Sequence, residues 1–347
     1  MMPTKLLLFG LGLVLLVKGA DYFVKAAASL AKKLGVSEFV IGLTLVALGT
    51  SVPELASVLA AAFKKQGGLV LGTVIGSNVA NMLLITGLAA TLAAVRTRRE
   101  MIGRDGYIML GTTALFCLFA WNGTISRLEA AAMLLIYVAY SLFLFTAKAG
   151  LEGQYGFRRF LNYLFRFQYI LTIKHGVLAG LGRSKAGDRK IERAFREGVA
   201  KDLLVMLIGG AAIAFGADLF IGAAVYFAGL LKVPPVLVGA SVVSLGTSLP
   251  EMSVTVSAAR KGFGNIALGN ILGSSITNIG LIIGVSGLVL PLKTTQERLP
   301  LLLGFLLLAS LLLLVFIRSA WRIRRWEGAI LLTLYAAYVA LLFFGMA

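Results

Sequence analysis

GTSVPELASV at Gly49–Val58 returns as GTSLPEMSVT at Gly246–Thr255, and GTVIGSNVANMLLITG at Gly72–Gly87 returns as GNILGSSITNIGLIIG at Gly269–Gly284. The repeats align in one constant, ungapped register. Between Gly19–Ala90 and Gly216–Gly287 there are about 29 identities in about 72 aligned positions, more than a shared apolar composition produces. The chain is therefore an internal duplication. Each copy keeps a Glu inside an otherwise apolar segment, and ionisable groups at membrane depth are costly enough to mark ion or substrate paths.

Working outward, 59% of the 347 residues are hydrophobic and 14% charged. A soluble domain is ~45–50% apolar. Apolar runs near 5–25, 38–62, 69–95, 105–121, 128–147, 203–222, 233–259, 266–291, 299–317 and 327–347 each approach the roughly 17–25 residues of a bilayer span. The composition predicts an all-α polytopic membrane protein of about ten transmembrane helices. Five spans per half is an odd number, so the second half inserts upside down. Two inverted-topology five-helix repeats follow, an arrangement whose binding sites form near the midplane where the repeats meet. The halves are expected at 1–147 and 201–347, with repeat cores at 38–93 and 235–290. The first run is expected to be a retained span, because Gly19-Ala20-Asp21 recurs mid-chain as Gly216-Ala217-Asp218.

The net charge of +18 does not point to nucleic acid. About 24 of the 33 Lys and Arg residues fall in loops on one side of the predicted topology. That bias puts both termini outside and the central linker in the cytoplasm, in a cell's plasma (inner) membrane; Lys64 and Lys65 run against it. The basic surplus also suits anionic lipid headgroups. The linker, 148–200, is too short for a sizeable regulatory domain. Within it, Phe157–Ile173 has Arg158, Arg159, Asn162 and Arg166 opposite Phe160, Leu164, Phe167 and Leu171. This is a basic amphipathic helix, either lying on the membrane or packed under the bundle. His175, the single histidine, is read as a solvated linker residue, and the lone Cys117 as a packed thiol.

In the second span Ala47, Thr50, Ser51 and Glu54 fall at i, i+3, i+4 and i+7, and Ser244, Thr247, Ser248 and Glu251 repeat the stripe. A polar stripe in hydrocarbon must face protein or water. Pro53 and Pro250 precede the glutamates. Each lacks an N–H and crowds the carbonyl four residues back, which is expected to loosen the helix and expose backbone oxygens. The third span adds Gly72, Gly76, Ser77 and Asn81, repeated as Gly269, Gly273, Ser274 and Asn278. The glycines allow close helix approach, and the Ser and Asn share a face. Packing alone accounts for the glycines; it gives no reason for two membrane-embedded glutamates. Asp21 and Asp218 are also duplicated, and as span-end residues they serve helix anchoring at least as well as ion relay.

The pooled inventory is all oxygen, without His or Cys, which argues against zinc or copper. Hard cations suit it: Ca2+ takes ~6–8 oxygen ligands at ~2.3–2.6 Å. Two carboxylates can neutralise one Ca2+ or be shared among several Na+, and mutually exclusive occupancy is enough to give exchange.

These motifs resemble the α-repeats of the cation/Ca2+ exchanger superfamily, which includes Na+/Ca2+ exchangers. The resemblance covers both repeat cores and the spans before them. It implies that Glu54 and Glu251 are carboxylates shared by Ca2+ and Na+, and that Thr50 and Thr247 give backbone oxygens to Ca2+. It further implies one flanking Na+ site from Ser51, Ser77 and the Ala47 carbonyl, and a mirror site from Ser248, Ser274 and the Ser244 carbonyl. Asn81 and Asn278 would line the middle. Asn278 stands where K+-dependent members place Asp, which points away from K+ co-transport. The large regulatory domains of animal exchangers are missing from this sequence.

The expected function is Na+/Ca2+ antiport by alternating access, with Ca2+ and Na+ as transported ligands, no cofactor, and one chain sufficient for the site. Proton-coupled exchange of Ca2+ or another divalent cation is the alternative. A passive cation channel and a non-transporting scaffold are readings from other classes. No nucleophile–base constellation or phosphate-cradling loop suggests an enzyme.

Overall fold

The computed structural model describes residues 2–34, 38–63, 65, 67–93, 95–96, 102–146, 156–170, 198–230, 244–293 and 299–344. The architecture is all-α, with about ten transmembrane helices in two inverted five-helix repeats. In the first half they are α1 (Met2–Leu34), α2 (Glu38–Phe63), α3 (Gly67–Leu92), α4 (Ile102–Gly106 running into Tyr107–Ala120) and α5 (Arg127–Thr146). A linker helix, α6 (Phe157–Phe165), follows. The second half has α7 (Val199–Leu230), α8 (Ser244–Thr247, then Leu249–Arg260), α9 (Gly264–Val289), α10 (Leu299–Ala320) and α11 (Arg325–Phe344). Seven helices among the described residues are each long and apolar enough to cross a bilayer by themselves. The first span is longer than its apolar run, because Lys18, Lys25, Lys32 and Lys33 ride on the helix without ending it.

The two halves interdigitate through small residues. Helices α1 and α7 run antiparallel in near-backbone contact: a Cβ at Gly12 would lie 2.8 Å from the Gly216 carbonyl oxygen, and one at Gly19 would lie 3.0 Å from that of Gly209. Gly12 and Gly209 are register mates, as are Gly19 and Gly216, so the contact is made twice by symmetry. Likewise α3 packs on α11, where a Cβ at Gly87 would meet Leu332 Cγ at 2.8 Å. The mirror contact sets α9 on α5, with a Cβ at Gly284 falling 2.8 Å from Leu134 Cβ. Each half thus lends its third span to the other half's fifth.

Two short antiparallel pairings repeat the exchange. β1 (Val95–Arg96), just after α3, pairs with β4 (Arg322–Ile323) in the α10–α11 turn, and β3 (Leu292–Lys293), just after α9, pairs with β2 (Thr124–Ile125) in the α4–α5 turn. The N-terminus of α5 is closed by a reciprocal capping box: Ser126 N–H donates to Glu129 Oε2 at 2.8 Å, and Glu129 N–H returns to Ser126 Oγ at 3.3 Å. Glu327 supplies one half of such a cap to α11, accepting from the Arg324 N–H at 2.7 Å.

The linker helix packs against the bundle. Phe160 stacks edge-on to Tyr140 and Phe143, with ring centroids 6.0 and 5.6 Å apart, and Tyr163 lies 5.3 Å from Phe143. The buried face differs from the predicted one. Phe167 is 58% exposed because the chain turns there with φ 52°, which breaks the helical period and lets Tyr169 take the buried place. Cys117 is buried, its thiol toward the Leu303 carbonyl at 3.6 Å, in keeping with a packed residue. Leu171, His175 and Lys64 lie outside the described residues.

Candidate cation site

The stripe predicted on the second span is the one that α2 buries. Ala47, Thr50, Ser51 and Glu54 are all buried, while Leu48, Gly49 and Val52 between them are exposed. In α8, Ser248 and Glu251 are buried and Thr247 is half-buried. Ser244 opens α8, and its side chain is outside the described set. The glycines of α9 make the convergence possible. A Cβ at Gly269 would lie 2.6 Å from the Phe39 carbonyl oxygen, and one at Gly273 would lie 2.5 Å from that of Leu43. Backbone meets backbone there, which brings Ser274 and Asn278 up against α2. Gly72 has no such neighbour among the described residues.

Glu54 and Glu251 are each 1% exposed, and their hydrogen bonds cross between the repeats. Ser51 Oγ donates to Glu251 Oε1 at 3.0 Å, and Ser248 Oγ donates to Glu54 Oε1 at 3.1 Å. Each carboxylate is held by the serine three residues before the other, so the two are brought together in one polar nest. Ser77 and Asn278 stand beside the Glu54 carboxylate.

What this nest leaves open is hydrogen-bonding capacity, in acceptors and donors alike. Glu54 Oε2, Glu251 Oε2, Ser77 Oγ, Ser274 Oγ, and both the Oδ1 and Nδ2 atoms of Asn81 and Asn278 are all buried without a hydrogen-bond partner. A buried polar atom left unpaired costs roughly 1–3 kcal/mol, so such a concentration needs a physical reason. Carboxylate, hydroxyl and amide oxygens with uncommitted lone pairs are the ligand atoms a dehydrated hard cation takes. No cluster of three or more His, Cys, Asp or Glu occurs among the described residues, so the chemistry rests on two carboxylates plus neutral oxygens.

The helices are irregular at the site, in ways only partly foreseen. Pro53 does not break α2, which stays helical across it; the irregularity lies about two to three turns earlier, in a π-helical stretch at Gly42–Val46. Pro250 does coincide with a break: α8 stops at Thr247, Ser248 turns, and the helix restarts at Leu249, with proline in its first turn, where no N–H is needed. Both asparagines sit at π-turns. Asn81 lies in Ala80–Ile85 and Asn278 opens Asn278–Ile282, and the carbonyl of each accepts from the N–H five residues on. A π-turn inserts an extra residue and re-aims side chains locally, and such turns concentrate at functional sites. Thr86 Oγ1 adds a 2.8 Å bond to the Asn81 carbonyl, and Ile283 stands in its place in the other half.

One buried residue at the site was not singled out in the sequence. Asn270 on α9 accepts from Thr50 Oγ1 at 3.3 Å and donates to Thr255 Oγ1 at 2.9 Å and to the Glu251 carbonyl at 3.3 Å. Its signal was an asymmetry, because Thr73 stands at the matching position of the first repeat. Asp21, by contrast, takes no part in the nest: it accepts from Ser257 Oγ at 2.6 Å and pairs with Lys261, fastening α1 to the end of α8. Asp218 is exposed.

A paired, oxygen-lined nest shared by inverted helical repeats defines a cation-handling membrane protein. Residues 4–146 and 201–344 match the family described as "Sodium/calcium exchanger protein", and the chain belongs to that family. It is 47% identical to the sodium/calcium exchanger MaX1 of Methanosarcina acetivorans over 99% of this chain and 100% of that one. It is 30% identical to the putative antiporter CaxA of Alkalimonas amylolytica, with 96% of each covered. Its fold matches the solved sodium-calcium exchanger NCX_Mj with a TM-score of 0.75 and 27% identity, over 98% of this chain and 99% of that chain.

Proposed function

We propose that this chain is a secondary-active antiporter that moves Ca2+ outward against inward Na+, by alternating access around the Glu54/Glu251 nest. Glu54 and Glu251 serve both ions. The Thr50 and Thr247 carbonyls complete the Ca2+ position; Ser51, Ser77 and the Ala47 carbonyl form one Na+ position, and Ser248, Ser274 and the Ser244 carbonyl its mirror. Asn81 and Asn278 line the centre. Residues 1–147 and 201–347 act as the two transporting halves, joined by a cytoplasmic connector at 148–200, with both termini outside and one chain sufficient. Family membership and the sodium and calcium in the names of MaX1 and NCX_Mj support the choice of ions.

The observation that carries the reading is the set of unpaired buried oxygens around two cross-tied carboxylates. Two negative charges neutralise one Ca2+ or are divided among several Na+, so the two loads compete for the same atoms. Serine and asparagine oxygens favour Na+ over a proton as the coupling ion, since a proton needs no cage.

The test is Ca2+ flux in proteoliposomes driven by a Na+ gradient with the proton gradient collapsed. Na+-driven uptake is expected. Uptake only under a pH gradient would replace Na+ coupling with proton coupling, and conduction indifferent to trans Na+ would make the protein a channel.

A further inference from the structure

The hydroxyl of Thr50 has one hydrogen, and among the acceptors around it two stand at almost the same distance: the Ala47 carbonyl oxygen at 3.2 Å and Asn270 Oδ1 at 3.3 Å. It can donate fully to only one of them. The orientation of the Asn270 amide is not free. The Glu251 carbonyl only accepts, so the NH2 end must face it, at 3.3 Å, and the oxygen end is left for Thr50. Thr255 Oγ1, at 2.9 Å from Nδ2, holds the same end. Asn270 is wholly buried, so water does not compete for these bonds.

The geometry points to Asn270 as a positioning residue that sets the Na+ affinity of the Ala47/Ser51/Ser77 position, by drawing the Thr50 hydroxyl hydrogen away from the Ala47 carbonyl. This inference rests on the ligand assignment proposed above. A carbonyl oxygen has two lone pairs. Helical geometry directs the Ser51 N–H to one of them, so a hydroxyl donating to the other leaves that oxygen poorly able to hold a cation. When Thr50 donates to Asn270, the second lone pair is released.

The device crosses the repeats: a side chain on α9 tunes a backbone oxygen on α2 and is itself fastened to the Glu251 carbonyl on α8. Asparagine holds this place in the second repeat, and the first repeat has Thr73 at the matching position.

The experiment measures Na+ and Ca2+ concentration dependence of flux in proteoliposomes for wild type, Asn270→Ala, Thr50→Val and the double variant, each first checked for a monodisperse fold. Asn270→Ala returns the hydroxyl to Ala47, so half-saturating Na+ is expected to rise about two- to twelvefold, the range for one net hydrogen bond. Maximal rate and half-saturating Ca2+ should move less than about twofold over that same change. In the double variant no hydroxyl is left to cap Ala47, and the Na+ dependence should recover to near wild type, a non-additivity that a merely structural role would not produce. An unchanged Na+ dependence in Asn270→Ala, or a double variant no better than the single one, overturns the inference. If Asn270→Ala does not fold, Thr50→Val decides: half-saturating Na+ should stay level or fall, and a rise overturns the idea. Absence of Na+-driven flux in the wild type would instead sink the proposed function, so the two failures are distinguishable.

Discussion

Replacing Gly12 with Ala tests the packing of the two long helices. Carbon and oxygen atoms in favourable contact lie roughly 3.5 Å apart or more, whereas the added methyl would sit 2.8 Å from both the Gly216 carbonyl oxygen and the Phe220 nitrogen. Both neighbours are backbone, so no side chain can rotate away, and α1 and α7 must separate along the seam. Overpacking of this kind costs about 1–3 kcal/mol. Gly216→Ala should behave alike, since its Cβ would meet the Gly12 carbonyl oxygen and Leu16 nitrogen at 2.9 Å. Gly10→Ala is the internal control, on the same helix with nothing within 4 Å of the added carbon. Thermal unfolding in detergent, followed by size-exclusion chromatography of heated samples, should show Gly12→Ala and Gly216→Ala melting earlier and Gly10→Ala at or above wild type. Equal melting of Gly12→Ala and Gly10→Ala would refute the backbone-to-backbone seam.

Glu54→Gln and Glu251→Gln are each expected to abolish measurable Ca2+ flux, because one carboxylate cannot neutralise the ion; a variant within about threefold of wild type would contradict a loss on the scale of a buried charge partner, ~3–5 kcal/mol. Acidification should slow Ca2+ flux and added Ca2+ should restore it, since protons and metal compete for the same two carboxylates, and slowing that saturating Ca2+ fails to relieve would place the titrating group elsewhere. Asp105→Asn removes the negative charge that buried Arg104 bonds at 2.9 and 3.0 Å, while the amide oxygen can still accept from Tyr140, so a loss of about 3–5 kcal/mol and a lower melting temperature are expected. Asp21→Asn should speed or slow turnover with little change in half-saturating Ca2+, because it loosens the tie between α1 and α8 outside the nest; a large shift in Ca2+ dependence would count against that placement.

The duplicated glutamates were legible because burial of a charge is costly everywhere along a membrane span, so a repeated Glu needs no three-dimensional context to be informative. The stripe through Ala47, Thr50, Ser51 and Glu54 was legible for a related reason, since helical periodicity is local. Asn270 was not, because its partners come from α2 and α8 and its importance lies in breaking the repeat. The π-turns at Asn81 and Asn278 leave no mark in composition, as an extra backbone residue per turn is stabilised by packing rather than by side-chain type. Prolines misled in part: Pro53 and Pro250 share a motif, yet only the second lies at a break, because the flanking backbone differs. Phe167 failed for a simpler reason, a helical period carried past the turn that ends it.

The exchange of third and fifth spans has a consequence for how the chain is made. Helix α3 leaves the ribosome long before α11, the helix it packs on, and at about 5–20 residues per second the wait is on the order of ten to fifty seconds. During that interval Ser77 and Asn81 lie in the bilayer with half of their protein surroundings missing. Biogenesis must therefore shelter a polar face until its mate arrives, and the first half made alone should be an unstable orphan. Co-produced separately, the two halves should find each other and regain a working whole.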